Sequence, residues 1–202
     1  MDNSKKSSLI SFENKIAQLF NSGKIRFPIH LSIGNEDELI KIFKSISSSD
    51  WIFSTWRSHY HCLLKGVPED VIEEAILQGR SIALNFPKYR VFSSAIAGGQ
   101  ISHAVGTAFT IKSSGKKETV WCFIGDMSSE TGSAQSAITY AENFDLPIIF
   151  VIEDNSTSVL TNTREVWGSQ KLRYEKTRSS KVVSYKYINT YPHSGAGMRV
   201  QF

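Results

Sequence analysis

The chain has 202 residues, of which 41% are hydrophobic and 21% charged, and its formal net charge is +4. This length is enough for one sizeable α/β domain with its own core. The basic residues are spread out rather than arranged in a stripe with interleaved aromatics, which argues against a nucleic-acid-binding protein. The two cysteines form neither a CxxC pair nor a zinc-binding spacing, and no apolar stretch is long enough to cross a bilayer. The polar N-terminus lacks the apolar segment of a signal peptide, so we expect a cytoplasmic protein.

The first part of the chain is predicted to be helical. We expect residues 1–8 to be flexible and residues 9–202 to form a single domain. Apolar side chains recur at helical spacing in three segments, and Gly23 is placed to end the first of them. The predicted helices are 9–22, Glu36–Ile46 and Pro68–Gln78.

The centre of the chain carries a strand–helix–strand pattern, preceded by a helix predicted over Gln100–Lys112. Thr119–Ile124 and Pro147–Ile152 are short runs that are apolar throughout, and Gly132–Phe144 between them has helical periodicity. Continuous apolar strands joined by a helix are typical of a βαβ unit in a buried parallel sheet. The sequence therefore predicts an α/β fold with a mostly parallel central sheet flanked by helices.

Polar residues follow both of these strands. Asp126 comes after the first and Asn155 after the second. Because the carboxyl ends of parallel strands meet at one edge, where ligands bind, we expect the two side chains to lie close together. Carboxylate and amide oxygens suit Mg²⁺, and a helix beginning near 130–132 would direct free N–H groups at a phosphate. A turn and a helix cap would explain each residue singly, but the two strand-end positions together favour a site.

The same positions resemble a known family. Gly125-Asp126, a helix and then Asp154-Asn155 resemble the thiamine-diphosphate signature, in which Gly-Asp-Gly is followed at a distance by Asn-Asn. Further segments resemble the alpha subunits of 2-oxo-acid dehydrogenases (pyruvate dehydrogenase alpha-like): Gly23–Arg26, His30–Glu36, Trp56–His59, Gly99–Gly106 and Leu146–Val151. The Gly99–Gly106 segment is also similar to its equivalent in the N-terminal half of transketolases. The resemblance implies the three-layer thiamine-diphosphate-binding fold.

The resemblance also implies a ligand for each matching residue. Mg²⁺ would be held by the side chains of Asp126 and Asn155 and by the backbone carbonyl of Thr157. The backbone at Gly125 and Ser128 would approach the diphosphate of the cofactor, and Asn155 would lie beside it.

Three residues upstream complete the implied site, and two others depart from the signature. Arg57 would pair with a diphosphate oxygen, which suits its planar charged fork. Trp56 stands where the family usually has a cofactor-contacting tyrosine, and His59 matches a catalytic histidine near the reacting centre. Met127 replaces the second glycine of the motif, and Asp154 replaces its first asparagine.

The remaining histidines carry weaker signals. His30 is interpreted as a packing residue, His61 as a supporting one, and His103 as either a surface or a cleft residue. His193 belongs to the Gly-rich tail Tyr191–Gly197, for which both closure over a site and no role stay open.

The implied function is decarboxylation of a 2-oxo acid followed by acyl transfer, with thiamine diphosphate as the electron sink. The family's pyrimidine-binding domain does not fit in this length, so we expect it on a beta-type partner subunit, in an α2β2 assembly. The alternatives are the N-terminal subunit of a split transketolase, acting on a ketose, and a non-catalytic scaffold. A Gly-x-Ser-x-Gly elbow, a dinucleotide fingerprint and a Walker A sequence are all absent from the sequence, which argues against those enzyme classes.

Overall fold

A computed structural model describes residues 3–197 of the chain. Its α-helices are α1 Asn3–Asn21, α2 Glu36–Phe43, α3 His59–Leu64, α4 Glu69–Leu77, α5 Gly99–Ser113, α6 Asp126–Ser129, α7 Gly132–Asn143 and α8 Thr163–Val166. Its strands are β1 Trp51–Ser54, β2 Asn85–Phe86, β3 Val91–Ser93, β4 Val120–Gly125, β5 Ile148–Asp154, β6 Thr157–Ser158, β7 Thr161–Asn162 and β8 Val182–Lys186. Short 3-10 helices occupy Pro87–Tyr89 and Arg173–Glu175. Within this part of the chain, no helix is both long and apolar enough to cross a membrane.

Six strands form one sheet in the order β2-β3-β1-β4-β5-β8. Every neighbouring pair is parallel except β2 with β3, so the predicted mostly parallel sheet is confirmed. The register between β4 and β5 runs from Val120 opposite Ile148 to Gly125 opposite Glu153. The residues that follow the two strands therefore begin at the same level, as the βαβ pattern predicts. A separate antiparallel pair joins β6 to β7.

The strands are apolar throughout because both faces of the sheet are covered. Phe123 and Val151 pack on one face in a core shared with α1, α2, α3 and α4. Cys122 and Phe150 pack on the other face against α5 and α7. Successive residues of a strand point to opposite faces, so the neighbours 122 and 123 serve different cores. The result is the predicted three-layer arrangement.

The N-terminal segment differs from the prediction. Residues 3–8, expected to be flexible, form the beginning of α1. The segment contains neither glycine nor proline, so nothing interrupts the helix that buries Leu9 and Phe12, and Lys6 pairs with Asp37 on α2. Residues 1–2 of the predicted flexible terminus and 198–202 of the predicted domain lie outside the described residues.

Four strands of the sheet, β1, β2, β3 and β8, were not predicted from the sequence, and two of them, β1 and β8, position the site. β1 has only four residues, and β8 has a mixed polar pattern with Val183 and Ser184 exposed. Pairing with neighbouring strands determines the conformation of β1 and β8, since β1 lies between β3 and β4 and β8 lies against β5. Their placement brings two further chain segments to the carboxyl edge of the sheet.

Candidate active site at the carboxyl edge of the sheet

A cavity of about 280 Å³ opens where four parallel strands end. The segments that line it follow β1, β4, β5 and β8 directly, which is where parallel α/β sheets bind ligands. The predicted site residues that line it are Trp56, Arg57, Gly125, Asp126, Ser128, Asn155 and Thr157. The sheet thus brings together seven residues from three separate parts of the sequence.

Asp126 is the most buried carboxylate in this cavity, with 2% of the residue exposed. Within the described residues, its Oδ2 atom has no hydrogen-bond partner. Burial, reinforced by the adjacent Asp154 carboxylate, raises the pKa of Asp126 to about 7. A buried acceptor without a partner costs stability, and a bound cation would provide the missing partner.

Gly125 leaves room beside Asp126. Its φ of −68° and ψ of 154° are open to any residue, so backbone conformation does not require a glycine here. A Cβ placed on Gly125 would meet no atom of residues 3–197 within 4 Å. The space over this backbone therefore belongs to the cavity, where a ligand can approach the main chain closely. Ser128, one turn further, lines the same space and is 8% exposed.

Arg57 brings a positive charge to the cavity. Its Nη1 donates to the Leu31 carbonyl at 3.3 Å, and its Nη2 donates to the His193 carbonyl at 3.1 Å. Among the ion pairs of residues 3–197, none involves Arg57, and burial lowers the pKa of its guanidinium. Its Nη2 also lies 3.4 Å from His193 Nδ1. A half-buried guanidinium without a carboxylate among these partners is suited to an incoming anion.

Asn155 and Thr157 form a tight loop at the end of β5. Asn155 Oδ1 accepts a hydrogen bond from the Thr157 backbone N–H at 3.0 Å, and Thr157 Oγ1 donates to the Asn155 carbonyl at 3.3 Å. The loop role that explains Asn155 singly is therefore present. An amide oxygen has two lone pairs, so this turn leaves capacity for a cation.

His59 does not line the cavity, and the structure places it in the core rather than with the other predicted site residues. It is the first residue of α3 and is 1% exposed, with Nδ1 2.9 Å from Glu13 Oε2 and Nε2 2.9 Å from Ser81 Oγ. The ring packs edge-on against Phe12 in the core. Glu13, His59 and Ser81 have the order of a hydrolytic triad, but Ser81 is fully buried and no substrate could reach it.

The helix expected to start near 130–132 is also placed differently. α7 does begin at Gly132, capped by Thr131, whose Oγ1 accepts from the Ala134 N–H at 3.3 Å. No residue of α7 lines the cavity. Instead, the chain turns directly after β4 into the single helical turn α6, which carries Asp126 and Ser128.

Ten residues that line the cavity were not predicted as site residues, among them Ser32, Asn35, Glu153, Tyr187 and His193. The tail places His193 beside Arg57, with Nδ1 3.4 Å from Nη2, and against His30, with ring centroids 5.0 Å apart. His30 also contacts Trp56 at 5.8 Å between centroids. Burial lowers the pKa of His30 to about 3, so the ring is neutral. Sequence spacing could not reveal a contact between positions 57 and 193.

A second, larger groove of about 590 Å³ lies at the opposite edge of the sheet. It is lined by Trp51 at the start of β1 and by Glu118 just before β4, so it marks the amino ends of the strands. That edge is not the ligand-binding edge of a parallel sheet. The predicted site residues all lie elsewhere.

The cavity defines a class of protein: an α/β domain with a cavity at the carboxyl edge of a parallel sheet, lined by an arginine and a buried carboxylate. Comparison with known proteins gives the family. The dehydrogenase E1 component family matches residues 4–183. The chain belongs to this family, whose members include the thiamine-diphosphate-dependent alpha subunits that its motifs resemble.

Curated relatives agree with the family. The alpha subunit of acetoin:2,6-dichlorophenolindophenol oxidoreductase from Bacillus subtilis is 30% identical over 154 residues, covering 71% of this chain and 46% of the relative. The pyruvate dehydrogenase E1 component alpha subunit from Porphyra purpurea is 30% identical over 166 residues, covering 74% and 48%. Its counterpart from Rickettsia prowazekii is 29% identical over 163 residues, covering 75% and 49%. The chain thus spans about half the length of the curated relatives it matches.

Proposed function

We propose that this chain is the diphosphate-binding alpha-type subunit of a two-chain thiamine-diphosphate enzyme that decarboxylates a 2-oxo acid and transfers the acyl group. One observation carries the proposal. Within residues 3–197, Asp126 has a buried carboxylate oxygen without a partner and Arg57 a guanidinium without a counter-ion, and both line the same cavity at the ends of parallel strands. A diphosphate with a divalent cation satisfies both groups at once.

The cation in this proposal is Mg²⁺. Asp126 and Asn155 would hold it by their side-chain oxygens and Thr157 by its backbone carbonyl. The donor set consists of hard oxygens, and Mg²⁺ in proteins typically combines few such ligands with water and phosphate oxygens. The unpartnered Oδ2 of Asp126 fits this assignment.

The remaining residues would hold the diphosphate and exclude water. Arg57 pairs with a phosphate oxygen, the backbone at Gly125 and Ser128 accommodates the phosphates, and Trp56 forms a wall of the cavity. Bound thiamine diphosphate supplies the electron sink for breaking the bond next to the 2-oxo carbon. His193 shields Arg57 from solvent at the cavity's edge.

A beta-type subunit would complete the site, in an α2β2 assembly. Exposed aliphatic side chains support an interface beside the cavity. Val159 lines the cavity and is 55% exposed, Leu160 follows it at 82%, and Ile96, next to the cavity residue Ala97, is 73% exposed. Apolar groups gathered around a ligand site favour a protein partner that excludes water from the reaction.

Two of the relatives described above are pyruvate dehydrogenase alpha subunits by their names, and pyruvate is a 2-oxo acid, which favours a 2-oxo-acid substrate over a split transketolase acting on a ketose. The non-catalytic scaffold alternative depends on Met127 and Asp154, the two departures from the thiamine-diphosphate signature. Asp154 is engaged by an arginine, and Met127 lines the cavity beside Asp126 without closing it. A cytoplasmic location stays a prediction.

Co-expression tests this function. The chain and a beta-type subunit would be purified together and assayed with pyruvate, branched 2-oxo acids and ketose phosphates, with Mg²⁺ and thiamine diphosphate present. We expect 2-oxo-acid decarboxylation by the pair and none by either chain alone. Asp126→Ala should abolish it, while Asp70→Ala, an exposed carboxylate on α4, should not. Robust turnover by this chain alone, or turnover independent of thiamine diphosphate, would contradict the proposal.

A further inference from the structure

Asp154 presents an electrostatic problem at the proposed cation site. The pairing of Gly125 with Glu153 places Asp154 on the strand next to Asp126, and Asp154 is 1% exposed. A second buried carboxylate there would repel Asp126 or compete for the cation unless its charge is balanced.

Both oxygens of Asp154 are engaged by protein groups. Oδ1 accepts from the Ser156 N–H at 2.7 Å and lies 3.5 Å from Arg164 Nη1. Oδ2 accepts from Arg164 Nη2 at 2.8 Å and from the Tyr174 hydroxyl. The Arg164 side chain is 16% exposed, so this is a largely buried, two-pronged ion pair.

The network continues away from the cavity and is balanced in charge. Arg164 Nη2 also donates to Glu175 Oε2 at 3.0 Å, and Lys186 pairs with Glu175 Oε1 at 2.7 Å. Two carboxylates thus face two cations. Arg164 Nη1 further donates to Ser156 Oγ at 3.2 Å, so the same side chain holds the loop that carries Asn155 and Thr157.

We propose that Arg164 is a positioning residue for the cation site: it neutralises Asp154, withholds that carboxylate from the metal and fixes the loop bearing Asn155 and Thr157. The inference rests on the proposed function. The Asp154–Arg164 pair carries no net charge, as the asparagine of the thiamine-diphosphate signature carries none. The departure at position 154 is thus compensated ten residues further along the chain.

Substitutions of Arg164 and of Asp154 should change the affinity for a divalent cation in opposite directions. Arg164→Gln leaves an uncompensated carboxylate beside Asp126, so the site should bind a divalent cation more tightly in the absence of cofactor. Asp154→Asn leaves an uncompensated cation and should weaken binding. We expect shifts on the order of tenfold in each direction for a charge a few ångströms from the metal. The double variant Asp154→Asn/Arg164→Gln is neutral and should return toward the wild type.

The experiment measures Mn²⁺ binding to the full chain, with the metal alone and with thiamine diphosphate, by the EPR signal of free Mn²⁺. Thermal unfolding verifies that each variant is folded. Opposite shifts in the two single variants, with recovery in the double, support the inference. A purely structural role would weaken binding in both, and that result, or a double variant that fails to recover, would overturn it.

The controls separate this inference from the proposed function. If the wild type binds Mn²⁺ with cofactor and Asp126→Ala does not, the proposed site stands whatever Arg164 does. If Asp126→Ala binds as the wild type does, the proposed cation site fails, and the Arg164 role fails with it. Should Arg164→Gln not fold, Asp154→Asn is compared with Tyr174→Phe, which removes a hydrogen bond to Asp154 without changing a charge. Weaker Mn²⁺ binding in Asp154→Asn alone supports the inference, and equal or tighter binding in Asp154→Asn, or equal weakening in both variants, overturns it.

Discussion

Arg57 and His59 are separated by one residue on the segment that follows β1, yet they occupy opposite environments. Arg57 lines the cavity and forms no ion pair within residues 3–197, while His59 is buried in the core with both ring nitrogens engaged by Glu13 and Ser81. Polar groups that the protein itself satisfies hold the fold together. Polar groups beside a cavity that lack a hydrogen-bond or ion-pair partner in the protein are candidates for ligand binding.

The largest expected effect is the loss of stability on removing the His59 side chain, whose two ring nitrogens both have partners in the protein. His59→Ala removes both hydrogen bonds and leaves the Glu13 carboxylate buried, so we expect the free energy of unfolding to fall by about 3–5 kcal/mol. Chemical denaturation measures this. His103→Ala, an exposed residue on α5, serves as the control and should change stability by less than about 0.5 kcal/mol. A stable His59→Ala chain that loses only turnover would instead give His59 a part in the chemistry.

The next effect concerns the Arg57 guanidinium and the affinity for the cofactor. Arg57→Ala removes the guanidinium from the cavity, and we expect the affinity for thiamine diphosphate with Mg²⁺ to fall about a hundredfold. Arg57→Lys should recover only part of it, since an ammonium cannot make a two-pronged contact. Calorimetric titration provides the measurement. Arg80→Ala, at an exposed position, changes the net charge equally and should bind normally. Equal affinity in Arg57→Ala and the wild type would remove Arg57 from the site.

The substitution Gly125→Ala tests whether the ligand occupies the space over this backbone, without changing a charge. Gly125→Ala costs the fold little, because its Cβ meets no protein atom and φ is −68°. If the diphosphate lies over this backbone, the methyl group should reduce cofactor affinity about tenfold, the cost of overpacking a close contact. Gly106→Ala on α5, where a Cβ also meets nothing, should bind normally. Unchanged cofactor affinity in Gly125→Ala would place the ligand elsewhere.

The smallest effect concerns His30, which lies beside Trp56 and His193 with its Nδ1 unpartnered. Burial lowers its folded-state pKa to about 3, whereas the unfolded ring titrates near 6.5. Between these values the unfolded chain binds more protons, so stability falls as the pH falls. From pH 6.5 to 5.5 His30 should contribute a loss of about 1 kcal/mol. Denaturation curves of His30→Gln should lack this contribution, and an identical pH dependence in variant and wild type would contradict it.

The sequence predicted the part of the molecule that depends on local pattern. Two apolar runs around a helix fixed the βαβ unit, and the strand ends placed Asp126 and Asn155 in one cavity. The sequence pattern could not predict contacts between distant segments. The pairing of His59 with Glu13, the approach of His193 to Arg57 and the compensation of Asp154 by Arg164 each depend on tertiary structure that periodicity does not encode.

The central claim is that the cavity binds thiamine diphosphate through a divalent cation on Asp126. Calorimetric titration of the full chain with thiamine diphosphate, in the presence of Mg²⁺ and then of EDTA, tests it most directly when wild type and Asp126→Ala are compared. The account predicts Mg²⁺-dependent binding that Asp126→Ala weakens by about a hundredfold or more, because even indirect partners of a metal contribute tenfold to a hundredfold. Thermal unfolding verifies that the Asp126→Ala chain is folded. Binding that is equal in both proteins, or that persists in EDTA, would contradict the account.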